Sequence, residues 1–105
     1  MDLLAVYTTV GTRQDARRIA RSLVEARLAA CAQIDEIESF YRWKGEIVNE
    51  PEYRVLLKTT EARYAAVEAA IRALHPYELP AIHAVELEEV YEPYAEWVAA
   101  NSAGN

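Results

Sequence analysis

His75 and Glu78, separated by Pro76 and Tyr77, are the pair of side chains in this sequence best suited to hold a divalent cation. Imidazole nitrogen and carboxylate oxygen are both common metal ligands, but stable sites use three or four ligands. The same residues also fit a helix end, at which His75 contacts free carbonyls, Pro76 stops the helix and Tyr77 packs. The sequence favours this structural role and leaves a weak cation site at His75 and Glu78 as the alternative.

Two other residues that could bind an ion lie in strand-like segments. His83 is followed by acidic residues, and alternation along a strand places His83 and Glu89 on one face, with Glu86 and Glu88 on the other. A solvated acidic edge fits these residues better than a cation site does. Lys58 interrupts a largely apolar strand. It therefore either faces a cleft between subunits, where it meets an anion or a carboxylate, or is an ordinary exposed lysine.

The sequence contains no arrangement typical of a catalytic centre. It has no nucleophile beside a base, no glycine loop that would hold phosphate, no zinc-ligand spacing and no paired carboxylates in apolar surroundings. The single cysteine, Cys31, has no histidine near it in the sequence to activate it and fits a small buried residue. We therefore predict that the protein is not an enzyme.

The length and charge of the chain limit the classes of function. At 105 residues the chain has the size of one domain, 1–105, and its formal net charge of −6 repels the phosphate backbone of nucleic acids. The N-terminus lacks the positive flank of a signal peptide, and no apolar stretch reaches the roughly 20 residues of a membrane span. One cysteine permits no intramolecular disulfide, which is typical of a reducing compartment. These features predict a cytoplasmic protein that binds neither nucleic acid nor membrane.

The elements that position these residues begin with a strand and a helix. Leu3 to Val10 is a short apolar, β-branched run and predicts a buried strand. Thr12, with Asp15 three residues later, fits the start of a helix, and apolar residues at helical spacing predict that this helix ends near Leu28 to Ala30.

The segment from Cys31 to Thr59 has no helical spacing and predicts two long antiparallel strands. Lys44 and Gly45 near its middle fit a tight turn, in which Gly45 takes a positive φ. Pro51 cannot donate a ladder hydrogen bond, so we expect the second strand to be interrupted around Pro51 by an edge, a bulge or a distortion.

The remainder of the chain predicts a helix, a strand and a terminal helix. An apolar stripe of four residues defines the second helix, which Pro76 ends: Tyr64, Val67, Ile71 and Leu74. A strand from Ala81 to about Glu89 and a helix from Pro93 to Asn101 follow, and residues 102–105 are expected to fray. The order β-α-β-β-α-β plus a terminal helix predicts an α+β, ferredoxin-like fold with a four-stranded antiparallel sheet and a long central hairpin.

The hairpin carries more apolar surface than a monomer tolerates. The two helices of this fold cover one face of the sheet, and an isolated two-stranded ribbon is marginal in water. An oligomer in which the hairpins of neighbouring subunits pair explains this surface better than a ribbon folded back over its own sheet. We expect four aromatic residues at the interface: Phe40, Tyr41, Trp43 and Tyr53.

Five strings along the chain, in their order and spacing, resemble the CutA divalent-cation-tolerance family. They are Leu-Ala-Ala-Cys-Ala-Gln-Ile at 28–34, Ser-Phe-Tyr-Arg-Trp-Lys-Gly-Glu-Ile at 39–47, Leu-Lys-Thr-Thr at 57–60, His-Pro-Tyr-Glu-Leu-Pro at 75–80, and Tyr94 with Trp97. The resemblance covers nearly the whole chain.

This resemblance implies a ferredoxin-like subunit, a homotrimer with paired hairpins, and a role in tolerance of divalent metals, notably copper, without a known reaction. It fixes no cofactor and leaves Cu(II), or another weakly bound divalent cation, as the candidate. Two alternatives stay open. One is a signal protein similar to the PII proteins, with a small effector in an inter-subunit cleft near Lys58, Trp43 and Tyr77. The other is a structural trimer that scaffolds a partner protein.

The chain departs from the family pattern at the positions proposed to bind copper. Thr8 stands where some bacterial members have cysteine, Leu74 where they have histidine, and Ala81 where they have an acidic residue. The resemblance therefore implies the fold and the trimer, and it does not transfer copper binding at those positions.

Overall fold

The computed structural model describes residues 2–104. Its elements, in chain order, are β1 (Leu3–Val10), α1 (Arg13–Glu25), β2 (Cys31–Trp43), β3 (Glu46–Thr60), a short 3-10 turn (Glu61–Arg63), α2 (Tyr64–Leu74), β4 (Ile82–Glu86) and α3 (Glu92–Asn101). The four strands form one antiparallel sheet in the order β2-β3-β1-β4. The predicted α+β class, with its β-α-β-β-α-β order, terminal helix and long central hairpin, is confirmed. No helix within residues 2–104 is long and apolar enough to cross a membrane.

The main hydrophobic core lies between the sheet and helices α1 and α2. It forms because alternate residues of β1 and β3 point to the same face, where they meet the apolar stripes of the two helices. Its fully buried members are Val6, Val10, Ala16, Ile19, Leu23, Ala29, Val55, Leu57, Val67 and Ile71. The opposite face, which we call the open face, is covered over Glu52 by the loop after α2 and at the other end by α3. There α3 packs Val98 against Leu3 and Ala30.

The central hairpin is the longest part of the sheet. Lys44 (φ 50°) and Gly45 (φ 83°) form the predicted turn, which has positive φ at both central residues as a type I′ turn requires. Strand β1 ends opposite Tyr53, so residues 46–52 of β3 pair with β2 alone. We call this projecting part, residues 37–52, the hairpin arm.

Of the three features expected around Pro51, the structure shows an edge, and it shows no break or bulge in the second strand. Strand β3 is continuous, and its register with β2 runs one to one from Cys31↔Lys58 to Trp43↔Glu46, without a bulge. Pro51 lies in the hairpin arm, where β3 has a neighbour on one side only. A strand tolerates proline at such an edge position because a missing donor there need not break the ladder.

Helix α1 starts as predicted and ends earlier than predicted. The backbone N–H of Asp15 donates to Oγ1 of Thr12 (3.1 Å). The helix ends at Glu25 because Arg27 adopts a left-handed conformation (φ 58°), with the N–H of Leu28 donating to the carbonyl of Leu23.

The C-terminal end is held by two arginines, which corrects the expectation that residues 102–105 fray. The guanidinium of Arg27 donates to the carbonyls of Ala100 and Gly104, and that of Arg63 donates to the carbonyl of Ser102. The correction applies to residues 102–104, since Asn105 lies outside the described residues.

Strand β4 also ends earlier than predicted, at Glu86, because β1, its only neighbour, begins at Leu3.

Candidate functional site

His75 lies directly after α2, and both of its ring nitrogens have hydrogen-bond partners. The backbone N–H of Tyr77 donates to Nδ1 (3.1 Å), so Nε2 carries the proton and donates to the carbonyl of Thr9 (2.8 Å). The ring therefore ties the end of α2 to the end of β1. A metal ion could bind His75 only after one of these hydrogen bonds had broken.

The surroundings of His75 favour its neutral form. Burial lowers the pKa of His75 below its ordinary value of 6.5, and this outweighs the opposing effect of the hydrogen bond to Thr9. The predicted second ligand, Glu78, is exposed on the loop that follows. Within residues 2–104 there is no group of three or more His, Cys, Asp or Glu side chains arranged to hold a metal ion. A cation site at His75 and Glu78 remains a prediction.

Tyr77 connects this loop to the hairpin arm. Its hydroxyl donates to Oε2 of Glu52 (2.7 Å), and the loop covers that glutamate so well that only 6% of it is exposed. Burial, followed by the hydrogen bond to Glu52, raises the pKa of Tyr77 far above its ordinary value. The phenol therefore stays protonated and remains a donor.

A cavity of about 900 Å³ opens between the hairpin arm and the loop after α2. We call it the hairpin groove, and its volume lies within the range of small-molecule sites. The hydroxyl of Tyr41 donates to Oε1 of Glu50 (2.7 Å) on the same strand face. The residues that line the groove are Glu38, Ser39, Phe40, Tyr41, Arg42, Trp43, Val48, Glu50 and Glu52 from the arm, Pro76, Tyr77, Glu78, Leu79 and Ala81 from the loop, and Thr9 from β1.

The three residues predicted to line an inter-subunit cleft are not adjacent in one chain. Trp43 and Tyr77 both line the hairpin groove. Lys58 lies at the other end of β3, about 40 Å along the strand from Glu46, which pairs with Trp43. A cleft that contains all three therefore needs a second subunit, and it remains a prediction.

Lys58 belongs to a small polar cluster near α3. Its ammonium lies 5.9 Å from the ring centroid of Tyr94, whose hydroxyl contacts Sγ of Cys31 (3.5 Å). Cys31 faces Lys58 across the β2–β3 ladder. The hydrogen bond to Cys31, together with burial, raises the pKa of Tyr94 to about 12. Cys31 is half-buried, where the sequence predicted a buried residue.

The open face has a second cavity, of about 500 Å³, over its centre. Its walls include the stacked rings of Tyr7 and His83, whose centroids are 5.3 Å apart, and the ion pair of Arg54 with Asp35 (2.8 Å). His83 points to this face, and the register places Glu86 on the opposite one, as strand alternation predicted.

The four aromatic residues predicted at an interface differ in their exposure. Phe40 is 68% exposed and Trp43 37%, both on the hairpin arm, and Tyr41 is half-buried. Tyr53 packs against the main core of its own chain, beneath the guanidinium of Arg13. Their role in assembly remains a prediction.

Sequence reasoning missed Glu52 and Thr8. Glu52 lies on the same strand face as the charged residues Glu50 and Arg54, so the sequence pattern gives no sign that Glu52 is buried. The loop that carries Tyr77 buries Glu52. Thr8 is buried, and its Oγ1 has no hydrogen-bond partner among the described residues.

Comparison with known proteins identifies the family. The family model described as CutA1 divalent ion tolerance protein matches residues 4–101. The chain belongs to the CutA family. The divalent-cation tolerance protein CutA of Thermotoga maritima is 42% identical over 96 residues, which cover 91% of this chain and 95% of that protein.

Solved CutA structures share the fold over almost the whole chain. The divalent cation tolerance protein Cut A1 from Thermus thermophilus superposes with a TM-score of 0.91 at 40% identity, covering 95% of this chain and 98% of that one. The structure described as the periplasmic divalent cation tolerance protein CutA from Archaeoglobus fulgidus gives 0.93 at 32% identity, with the same coverage. The resemblance found in the sequence is thus confirmed, and the chain is a CutA protein in fold and family.

Proposed function

We propose that this CutA protein is a cytoplasmic homotrimer that serves the response to divalent metal ions, copper among them, through binding or interaction and not through catalysis. Membership of a family named for divalent-cation tolerance supports the metal response. The half-buried free thiol of Cys31 fits a reducing compartment.

One observation carries the proposed assembly, namely the hairpin arm. The arm extends beyond β1 by residues 46–52, roughly 23 Å of strand, with a free backbone edge and with Phe40 and Ile47 largely exposed. Such an edge is an aggregation hazard unless it pairs or is covered. Pairing of the arms of three copies covers both the edge and the apolar side chains.

Light scattering on the purified protein tests the trimer. The expected mass is three times the chain mass of 11.9 kDa at micromolar concentration. A mass of one chain would overturn the proposal, because the arm would then be stable in water by itself.

Calorimetric titration with Cu(II) separates a direct from an indirect metal role. The hydrogen bonds of His75 support a structural function for that ring, so we expect no saturable copper binding that depends on it. Saturable binding that is lost in His75→Ala would instead establish the site at His75 and Glu78, and the metal response would then be direct.

A second candidate function, the binding of a small effector, is favoured by the hairpin groove. Its volume of about 900 Å³ and its aromatic lining, which includes Trp43 and Tyr77, are typical of a ligand site. A third candidate, a trimeric scaffold for a partner protein, has no comparable feature in its favour.

A further inference from the structure

We draw no further inference here: the strongest candidate, the cavity over the centre of the open face between the stacked rings of Tyr7 and His83 and the ion pair of Arg54 with Asp35, belongs to a sheet face for which nothing in the structure shows what covers it.

Discussion

The hydroxyl of Tyr77 donates to Oε2 of Glu52 at 2.7 Å, and this bond joins the loop after α2 to the part of β3 that β1 does not reach. It closes one wall of the hairpin groove and supplies the buried carboxylate with a donor. This bond fixes the geometry of the groove, because β3 pairs there with β2 alone and its other edge has no neighbour in the sheet.

Removal of this donor should be costly. We expect Tyr77→Phe to lower the free energy of unfolding by about 1–3 kcal/mol, because the carboxylate of Glu52 stays buried without its partner. Urea denaturation measures the loss. Tyr41→Phe is the matched control, since its partner Glu50 is exposed to solvent and the loss should be much smaller. Equal losses in the two variants would show that Glu52 is solvated in solution.

Gly11 packs against the same hydroxyl, and this permits a double-mutant cycle. A Cβ at position 11 would lie 3.2 Å from Oη of Tyr77, so Gly11→Ala should displace the hydroxyl and weaken its bond to Glu52. The phenylalanine of Tyr77→Phe has no Oη, so the cost of Gly11→Ala should shrink in that background by at least about 0.5 kcal/mol. The change in backbone entropy is common to both backgrounds and cancels. Strict additivity would contradict the contact.

The lowered pKa of His75 predicts a loss of stability in weak acid. The unfolded chain takes up a proton near the ordinary pKa of 6.5, while the folded chain keeps His75 neutral to lower pH. The stabilisation is therefore complete above about pH 6.5 and is lost as the pH falls through the lowered pKa. In the wild type, urea denaturation should show a free energy of unfolding that falls as the pH is lowered from about 7.5 to about 5; this fall is the slope assigned to His75.

His75→Asn provides the comparison for that slope. The asparagine can accept from the N–H of Tyr77 but does not titrate, so the free energy of unfolding of this variant should change less over the same pH range. His83→Asn retains His75, and the slope assigned to His75 should persist in it. A wild-type slope in His75→Asn would assign the pH dependence to other groups.

A charge on the hairpin arm should disrupt assembly if Trp43 lies at the proposed interface. We expect Trp43→Glu to lower the mass measured by light scattering, because a carboxylate buried between subunits lacks a partner. Val24→Glu is the matched control on α1, since Val24 and Trp43 are each 37% exposed and the charge change is the same. An unchanged mass in Trp43→Glu would place that residue on a free surface.

Local patterns in the sequence determined most of the fold. The strand Leu3–Val10, the cap at Thr12 and the turn at Lys44 and Gly45 lie where residue type and spacing predict them. The buried residues Val67 and Ile71 of α2 also lie where the helical spacing predicts them. These features depend on neighbours within a few residues, so alternation, helical period and turn chemistry suffice to find them.

The sequence also determined the family, because strings spread along the whole chain match it in order and spacing. The tertiary structure alone decided the contacts between segments that are distant in the chain. Tyr77 meets Glu52, Arg27 meets Gly104, and His75 meets Thr9, and no local pattern in the sequence predicts these pairs. Such contacts tie the end of α2 to β1 through His75, hold the C-terminal end through Arg27 and bury Glu52. They arise because burial and hydrogen bonding depend on which segments the fold brings together, not on residue type alone.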